Sequence, residues 1–170
     1  MRIKILCILV LACVCAEAAL RPAVLTPGVS AGPIVLGGRI DQMLKQYPDS
    51  YERVRHSEPK KVFGDIFQIS PKQDILFDEI YYYAGTAVFC REKLIVAVLI
   101  TYKTALLSIN GSSLSLSRSI DYILILLGNK GLSVFKENGN TLYLHDTGTA
   151  LFDDKSDGVI DMAGVFLPYK

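Results

Sequence analysis

The sequence predicts a mainly β protein, an antiparallel sandwich or barrel of about nine or ten short strands. A run of uncharged, mostly apolar residues covers positions 94–102, and many of these residues are β-branched. Branched side chains favour strands, and charged residues at both ends of so short a run indicate a strand buried on both faces. Turn signals such as Asn110-Gly111 and Asn138-Gly139 recur at close spacing, which leaves no room for the crossover helices of parallel pairing.

Strands are predicted wherever a short β-rich or alternating run lies between turn residues. Residues 120–127 fit either a helix, with Ser119 before them and Gly128 after them, or a strand. The neighbouring strands favour the strand. The runs with strand character, from which about nine or ten strands are expected, cover residues 62–69, 75–83, 86–91, 94–102, 105–109, 113–117, 120–127, 132–136, 141–145, 149–152, 159–162 and 165–167.

The start of the chain predicts a secretory signal peptide over residues 1–18. Arg2 and Lys4 precede an apolar stretch of the usual length, and Ala16-Glu17-Ala18 supplies the small-x-small pattern of a cleavage site. Cleavage is therefore expected after Ala18. The apolar stretch is too short to cross a bilayer, so we expect a secreted, extracellular protein with no membrane span in its mature chain.

The mature chain is predicted to divide into an N-terminal region, 19–61, and a β-rich globular domain, 62–170. Prolines and glycines over 19–38 predict an extended arm. Apolar residues at helical spacing predict a short helix over 39–47, and the polar residues 52–61 predict a basic linker. A pair of lysines at the end of this linker offers the alternative that 19–61 is removed as a pro-segment.

Charge and motifs exclude several classes of partner. The formal net charge is +1, and the loss of Arg2, Lys4 and Glu17 with the signal peptide leaves none. A neutral chain has no overall attraction for nucleic acid, so no nucleic-acid partner is expected. The sequence has neither a phosphate-binding loop nor a dinucleotide fingerprint, so no cofactor is expected.

Cys90 is the one cysteine outside the predicted signal peptide, because the other three lie within residues 1–18. A domain with a single cysteine forms no internal disulfide and depends on packing. Cys90 lies in an apolar run, which favours a buried core thiol. An intermolecular disulfide is the first alternative and a catalytic thiol the second.

Asn110 heads an Asn-Gly-Ser glycosylation sequon at the tip of a predicted hairpin. A hairpin tip is exposed, so the turn and a glycan are compatible at the same residue. We expect a glycan on Asn110 when the chain passes through a eukaryotic secretory pathway.

The acidic segment 153–158 is the most site-like part of the chain. Oxygen-rich loops bind calcium, so Asp153 and Asp157 are weak calcium candidates. Lys155 occupies a ligand position, and Gly164 stands where a closing glutamate is usual. A solvated acidic turn without a metal is therefore expected.

Catalytic side chains are sparse. The chain has two histidines, His56 and His145, and His145 beside Asp146 could form a hydrolase triad with one of many serines. No Gly-x-Ser-x-Gly elbow accompanies it, so enzyme activity is not expected.

These observations together favour a secreted, non-enzymatic extracellular binding module. Its partner is either a protein that docks on an exposed sheet face or a small apolar ligand inside a barrel. Two alternatives stay open: a structural or matrix component of a secreted layer, and a hydrolase that uses His145. No internal repeat supports the matrix alternative directly.

Overall fold

The computed structural model describes residues 24–48, 51–69, 71, 73–83, 85–101, 105–109, 111–154 and 156–168. These residues form a mainly β fold of two sheets in an open, sandwich-like arrangement. The prediction of a mainly β sandwich is confirmed. The barrel alternative is wrong, because among the described residues the two outermost strands of the large sheet do not pair with each other.

The described chain contains thirteen strands, two α-helices and one short π-helix. In chain order they are β1 (Val24–Thr26), β2 (Ser30–Ala31), β3 (Ile34–Val35), α1 (Ile40–Gln46), β4 (Glu52–Lys61), the π-helix (Val62–Ile66), β5 (Leu76–Tyr83), β6 (Thr86–Arg91), β7 (Leu94–Ile100), β8 (Leu106–Ile109), β9 (Ser112–Ser115), α2 (Ile120–Leu127), β10 (Leu132–Glu137), β11 (Asn140–His145), β12 (Thr149–Asp154) and β13 (Met162–Phe166).

The large sheet has the strand order β10-β11-β12-β13-β7-β6-β5-β4, and all its pairs are antiparallel. β7 lies inside it, and its side chains enter two apolar clusters, one on each face: Ile95, Val98 and Ile100 in the first, Ala97 and Leu99 in the second. The prediction of a strand buried on both faces is confirmed for β7.

The small sheet, of order β3-β2-β1-β8-β9, contributes Leu25, Ala31 and Leu107 to the first cluster. The prediction of an extended arm over 19–38 is therefore wrong for the described residues from Val24 onward. The prediction of antiparallel pairing is confirmed for the named strand pairs with one exception, since β1 pairs with β8 in parallel. The parallel pair is feasible because the chain between the two strands, which includes β4–β7, serves as the long connection.

Residues 120–127 form α2, so the strand predicted there is wrong. Ile120 and Ile123 are buried in the first cluster, and the helix ends at Gly128, whose φ of +83° suits glycine. The glycine at the end of this run is a local signal that the neighbouring strands do not override, whereas Ser119 at its start makes no side-chain capping hydrogen bond.

Two further predictions fail on either side of Lys61. The supposed linker 52–61 is β4, which pairs with β5 across a register shift between Arg55 and Lys60. The strand predicted over 62–69 begins instead as the π-helix.

Near the end of the chain, residues 159–161 form a loop and a single strand, β13, replaces two predicted strands. The short helix predicted over 39–47 is confirmed by α1.

A buried carboxylate joins β4 to the large sheet. Glu79 is 7% exposed, accepts a hydrogen bond from Arg53 Nη2 at 2.6 Å and another from Tyr81 Oη at 2.8 Å, and lies 3.5 Å from Arg55 Nε. Burial alone would raise the pKa of Glu79, but these hydrogen bonds and the arginine charges outweigh it and lower the pKa.

We expect Glu79 to make the fold sensitive to acid. A depressed carboxyl pKa contributes stability that is present above the unfolded pKa of about 4.3 and is lost as pH falls through the folded pKa. Glu79→Gln should therefore lower the free energy of unfolding by about 1 kcal/mol at neutral pH, with a smaller difference in acid. Urea unfolding across pH measures this, with the exposed Glu137→Gln as the control. A difference between Glu79→Gln and the wild type that is the same at every pH would contradict the assignment.

Candidate functional site

A groove of about 760 Å³ lies at the β10–β11 end of the large sheet. Its floor carries Ser133, Phe135, Leu144 and Phe166. Volumes of roughly 300–1,000 Å³ with a mostly apolar lining are typical of ligand sites. The groove is therefore a candidate ligand site.

The floor follows from the alternation of side chains along paired strands. Ser133 lies opposite Leu144, and Phe135 lies opposite Leu142, so these four side chains share one face of the sheet. Leu142, Leu144 and Phe166 belong to the second apolar cluster, and Phe135 packs against it. The groove thus continues the core on that face out to the sheet edge.

The wall comes from the π-helix together with the irregular segment that follows it up to β5. Phe63 packs on Phe166 with ring centroids 5.8 Å apart, and Phe67 packs on Phe152 at 4.6 Å. The covering segment therefore lies over β12 and β13. Its later residues Pro71 and Gln73 border the groove, which opens over β10 and β11.

Asp74 anchors this wall. Its carboxylate accepts hydrogen bonds from the amides of Phe63 at 2.9 Å, Gly64 at 2.7 Å and Ile75 at 2.7 Å. Burial raises the pKa of Asp74, while the three amide bonds oppose the rise. One side chain therefore holds together both ends of the segment that borders the groove.

Asp146 gives one end of the groove a negative charge. Its side chain is 69% exposed, and its carboxylate lies against Gly131, where a β-carbon would strike it. Gly131 also has a φ of +84°, which favours glycine. The positive φ and the nearby carboxylate both favour glycine over any larger residue at position 131.

His145 borders the same end, but its side chain belongs to the other face. It follows Leu144 in β11, so it lies on the side of Tyr143, which packs against the first cluster. His145 Nδ1 lies 2.8 Å from Thr147 Oγ1 and 3.3 Å from Asp146 Oδ1. Its buried Nε2 has no hydrogen-bond partner among the described residues, so no described serine completes the hydrolase triad.

The carboxylates of the two calcium candidates, Asp153 and Asp157, accept hydrogen bonds from amides of their own loop. Asp153 is 1% exposed, and its carboxylate accepts hydrogen bonds from the amides of Asp157 at 3.0 Å and Gly158 at 2.9 Å. Asp157 in turn accepts one from the amide of Val159 at 3.0 Å. Within the described part of the chain, no three or more histidine, cysteine or carboxylate side chains are placed to share a metal ion.

Cys90 lies fully buried in β6. Burial raises the pKa of the thiol, which keeps it protonated and weakly nucleophilic. A disulfide between two chains therefore requires β6 to open first. The intermolecular disulfide itself stays a prediction.

Several predicted sites lie outside the described residues: the signal peptide 1–18 with its cleavage after Ala18, the glycosylation site Asn110, and Lys155 of the acidic loop. They stay predictions. Within the described chain, no helix has both the length and the apolar character needed to cross a membrane.

The sequence placed the floor residues in strands without indicating a site. Alternation in β10 and β11 could have shown that Ser133, Phe135 and Leu144 share a face. Nothing local shows that this face stays uncovered, because that depends on where the distant segment with Pro71 and Gln73 packs.

Searches against protein-family models, curated proteins and solved structures each found no match.

Proposed function

We propose that the protein is a secreted, non-enzymatic binding module that holds an apolar ligand group in the groove over β10 and β11. The observation that carries the proposal is the floor of Phe135, Leu144 and Phe166, which continues the core to an open sheet edge. Removing a ligand's apolar surface from water over such a floor contributes about 25 cal/mol per Å². Secretion rests on the predicted signal peptide.

The groove replaces the barrel interior as the place for a ligand. An open sandwich has no central lumen, so the apolar ligand predicted for a barrel has to bind elsewhere. Two polar groups accompany the apolar side chains of the groove: Ser133 lies within the floor, and Asp146 stands at one end of it. This arrangement of an apolar floor with a few polar groups is typical of sites that orient a ligand.

The test is the binding of Nile red, a neutral dye whose emission rises in apolar surroundings, to the full chain. We expect saturable binding that Ser133→Trp weakens about tenfold, because the indole would occupy the groove. Ser133 is exposed and lies on the floor side of β10, so the substitution should leave the fold intact. The matched control is Lys136→Trp, an exposed position on the opposite face of the same strand.

The chain contains no tryptophan, so each variant reports its own surroundings. The indole at position 133 should emit at shorter wavelength than the indole at position 136, because it packs on Phe135 and Leu144. Absence of saturable dye binding to the wild type would overturn the proposal, as would equal losses in the two variants.

A further inference from the structure

β10 is the outermost strand of the large sheet among the described residues. It pairs with β11 without a break, from Leu132 opposite His145 to Glu137 opposite Asn140. An edge strand presents a row of backbone N–H and C=O groups that a further strand can use. β10 is regular over its length of about 20 Å, and the template comprises the residues after Leu132, because the amide of Leu132 already donates to Asn129 O at 3.3 Å.

The opposite edge of the same sheet is protected. β4 is rich in charge, contains Pro59, and shifts register between Arg55 and Lys60. Charged side chains, proline and bulges are the devices that prevent a further strand from pairing. β10 has no proline and no register shift, its charges are confined to Lys136 and Glu137, and Val134 is 46% exposed.

The groove adjoins the edge that β10 forms in the described part of the chain. Five consecutive residues, 131–135, line it, although alternate side chains of a strand point to opposite faces. A groove lined by consecutive residues runs along the backbone of the strand. A ligand in it therefore has the floor of Ser133 and Phe135 on one side and the edge of β10 on the other.

We infer that the ligand is an extended peptide segment of another protein, which adds to β10 as a ninth strand of the large sheet. The inference rests on the proposed function, because it names the class of ligand that the groove takes. Backbone hydrogen bonds to β10 supply affinity, and alternate side chains of the peptide enter the groove beside Phe135. A small apolar molecule would use the floor and leave the edge unpaired.

The charged side chains near β10 indicate which side chains a matching peptide carries. Asp146 is the one carboxylate among the described residues that line the groove, it is largely exposed, and it stands at the end where β10 begins. Glu137 is exposed at the other end of β10. A matching segment has apolar side chains at alternate positions and a lysine or arginine beside Asp146, where an opposite charge is favourable.

The test begins with a phage library of random peptides of about eight residues, which matches β10 with one residue added at each end. Panning on the full chain should enrich peptides with alternating apolar residues and a terminal cation. Panning on the Ser133→Trp variant should not enrich them. Asp146→Asn should abolish the preference for the cation, while peptides still bind.

Backbone pairing is tested by N-methylation of a selected peptide, one position at a time. Methyl groups on the amides that face β10 should weaken binding about tenfold each, whereas those on the alternate amides should have little effect. Uniform effects at all positions would show side-chain capture without strand addition and would overturn the inference.

The outcomes separate the inference from the proposed function. Nile red binding that Ser133→Trp weakens, with no peptide enriched, would sink the inference and leave the binding groove. Loss of both would sink both. A dimer in sedimentation velocity that Ser133→Trp disrupts would assign the edge to a second copy of the chain and would also overturn the inference.

Discussion

Replacing Gly148 by alanine is expected to destabilise the fold by about 3 kcal/mol or more, the largest loss we expect from a change of one methyl group. Gly148 has a φ of +90°, and a β-carbon there would strike the carbonyl oxygen of Phe166 and lie 2.8 Å from Gly28 Cα. The neighbours that it meets are backbone atoms, so no side chain can turn away. The clash falls where the β1–β2 turn of the small sheet touches the large sheet.

Hydrogen bonds fix the backbone around this contact. Gly148 N–H donates to His145 O at 2.9 Å, and Gly148 O accepts from the amides of Phe166 at 2.9 Å and Gly28 at 3.4 Å. Relief of the clash would break at least one of these bonds and separate the two sheets. The loss should therefore appear as reduced stability of the whole fold.

Gly139→Ala is the matched control. Gly139 has a similar φ of +81°, but apart from its two chain neighbours no described residue has an atom within 4 Å of the place where its β-carbon would stand. It should lose only the cost of a left-handed backbone, about 1 kcal/mol. Urea unfolding followed by circular dichroism measures both variants. Equal losses at the two positions would show that the contact between the sheets contributes nothing beyond the backbone conformation.

The sequence identified the elements whose cause is local. The bounds of β6 coincide with the predicted 86–91, because an apolar run between turn residues determines them. The hairpin of β10 and β11 follows from the Asn138-Gly139 turn, where both residues have positive φ. In each case neighbours along the chain specify both the strand and its partner.

β4 shows why other strands escaped prediction. Its residues are almost all exposed and polar, so neither apolar content nor alternation marks it as a strand. What makes it a strand is pairing with β5, together with the bond from Arg53 to the buried Glu79. The bond and the first four strand pairs, from Glu52 with Tyr82 to Arg55 with Glu79, join residues more than twenty positions apart, which a local pattern does not record.

The helix α2 was predicted as a strand for the opposite reason. Nearly all its residues are apolar, including Ile125 at 76% exposed and Tyr122 at 46% exposed, so no polar face reveals the helical period. Its end signals, Ser119 and Gly128, were the better guide. No local sequence pattern could predict the groove, because its floor and its wall come from distant parts of the chain.

Replacing Asp74 by alanine is expected to lower the free energy of unfolding by about 2–4 kcal/mol, because the partly buried amides of Phe63, Gly64 and Ile75 lose their acceptor. Asp74→Asn keeps one side-chain oxygen and should lose less. The matched control is Asp65→Ala, since the exposed Asp65 accepts a single bond, from the amide of Lys61 at 2.7 Å.

The same substitution tests whether the wall shapes the groove. Asp74 does not line the groove, but it fixes both ends of the segment that carries Pro71 and Gln73. Asp74→Ala should therefore weaken Nile red binding and speed hydrogen exchange of the amides in 62–75, while those of β6 and β7 stay protected below the unfolding transition. Unchanged dye affinity with a loosened segment would mean that the floor alone, with Phe135 and Leu144, forms the site. Slow exchange in 62–75 would instead show that the aromatic contacts of Phe63 and Phe67 hold the wall without Asp74.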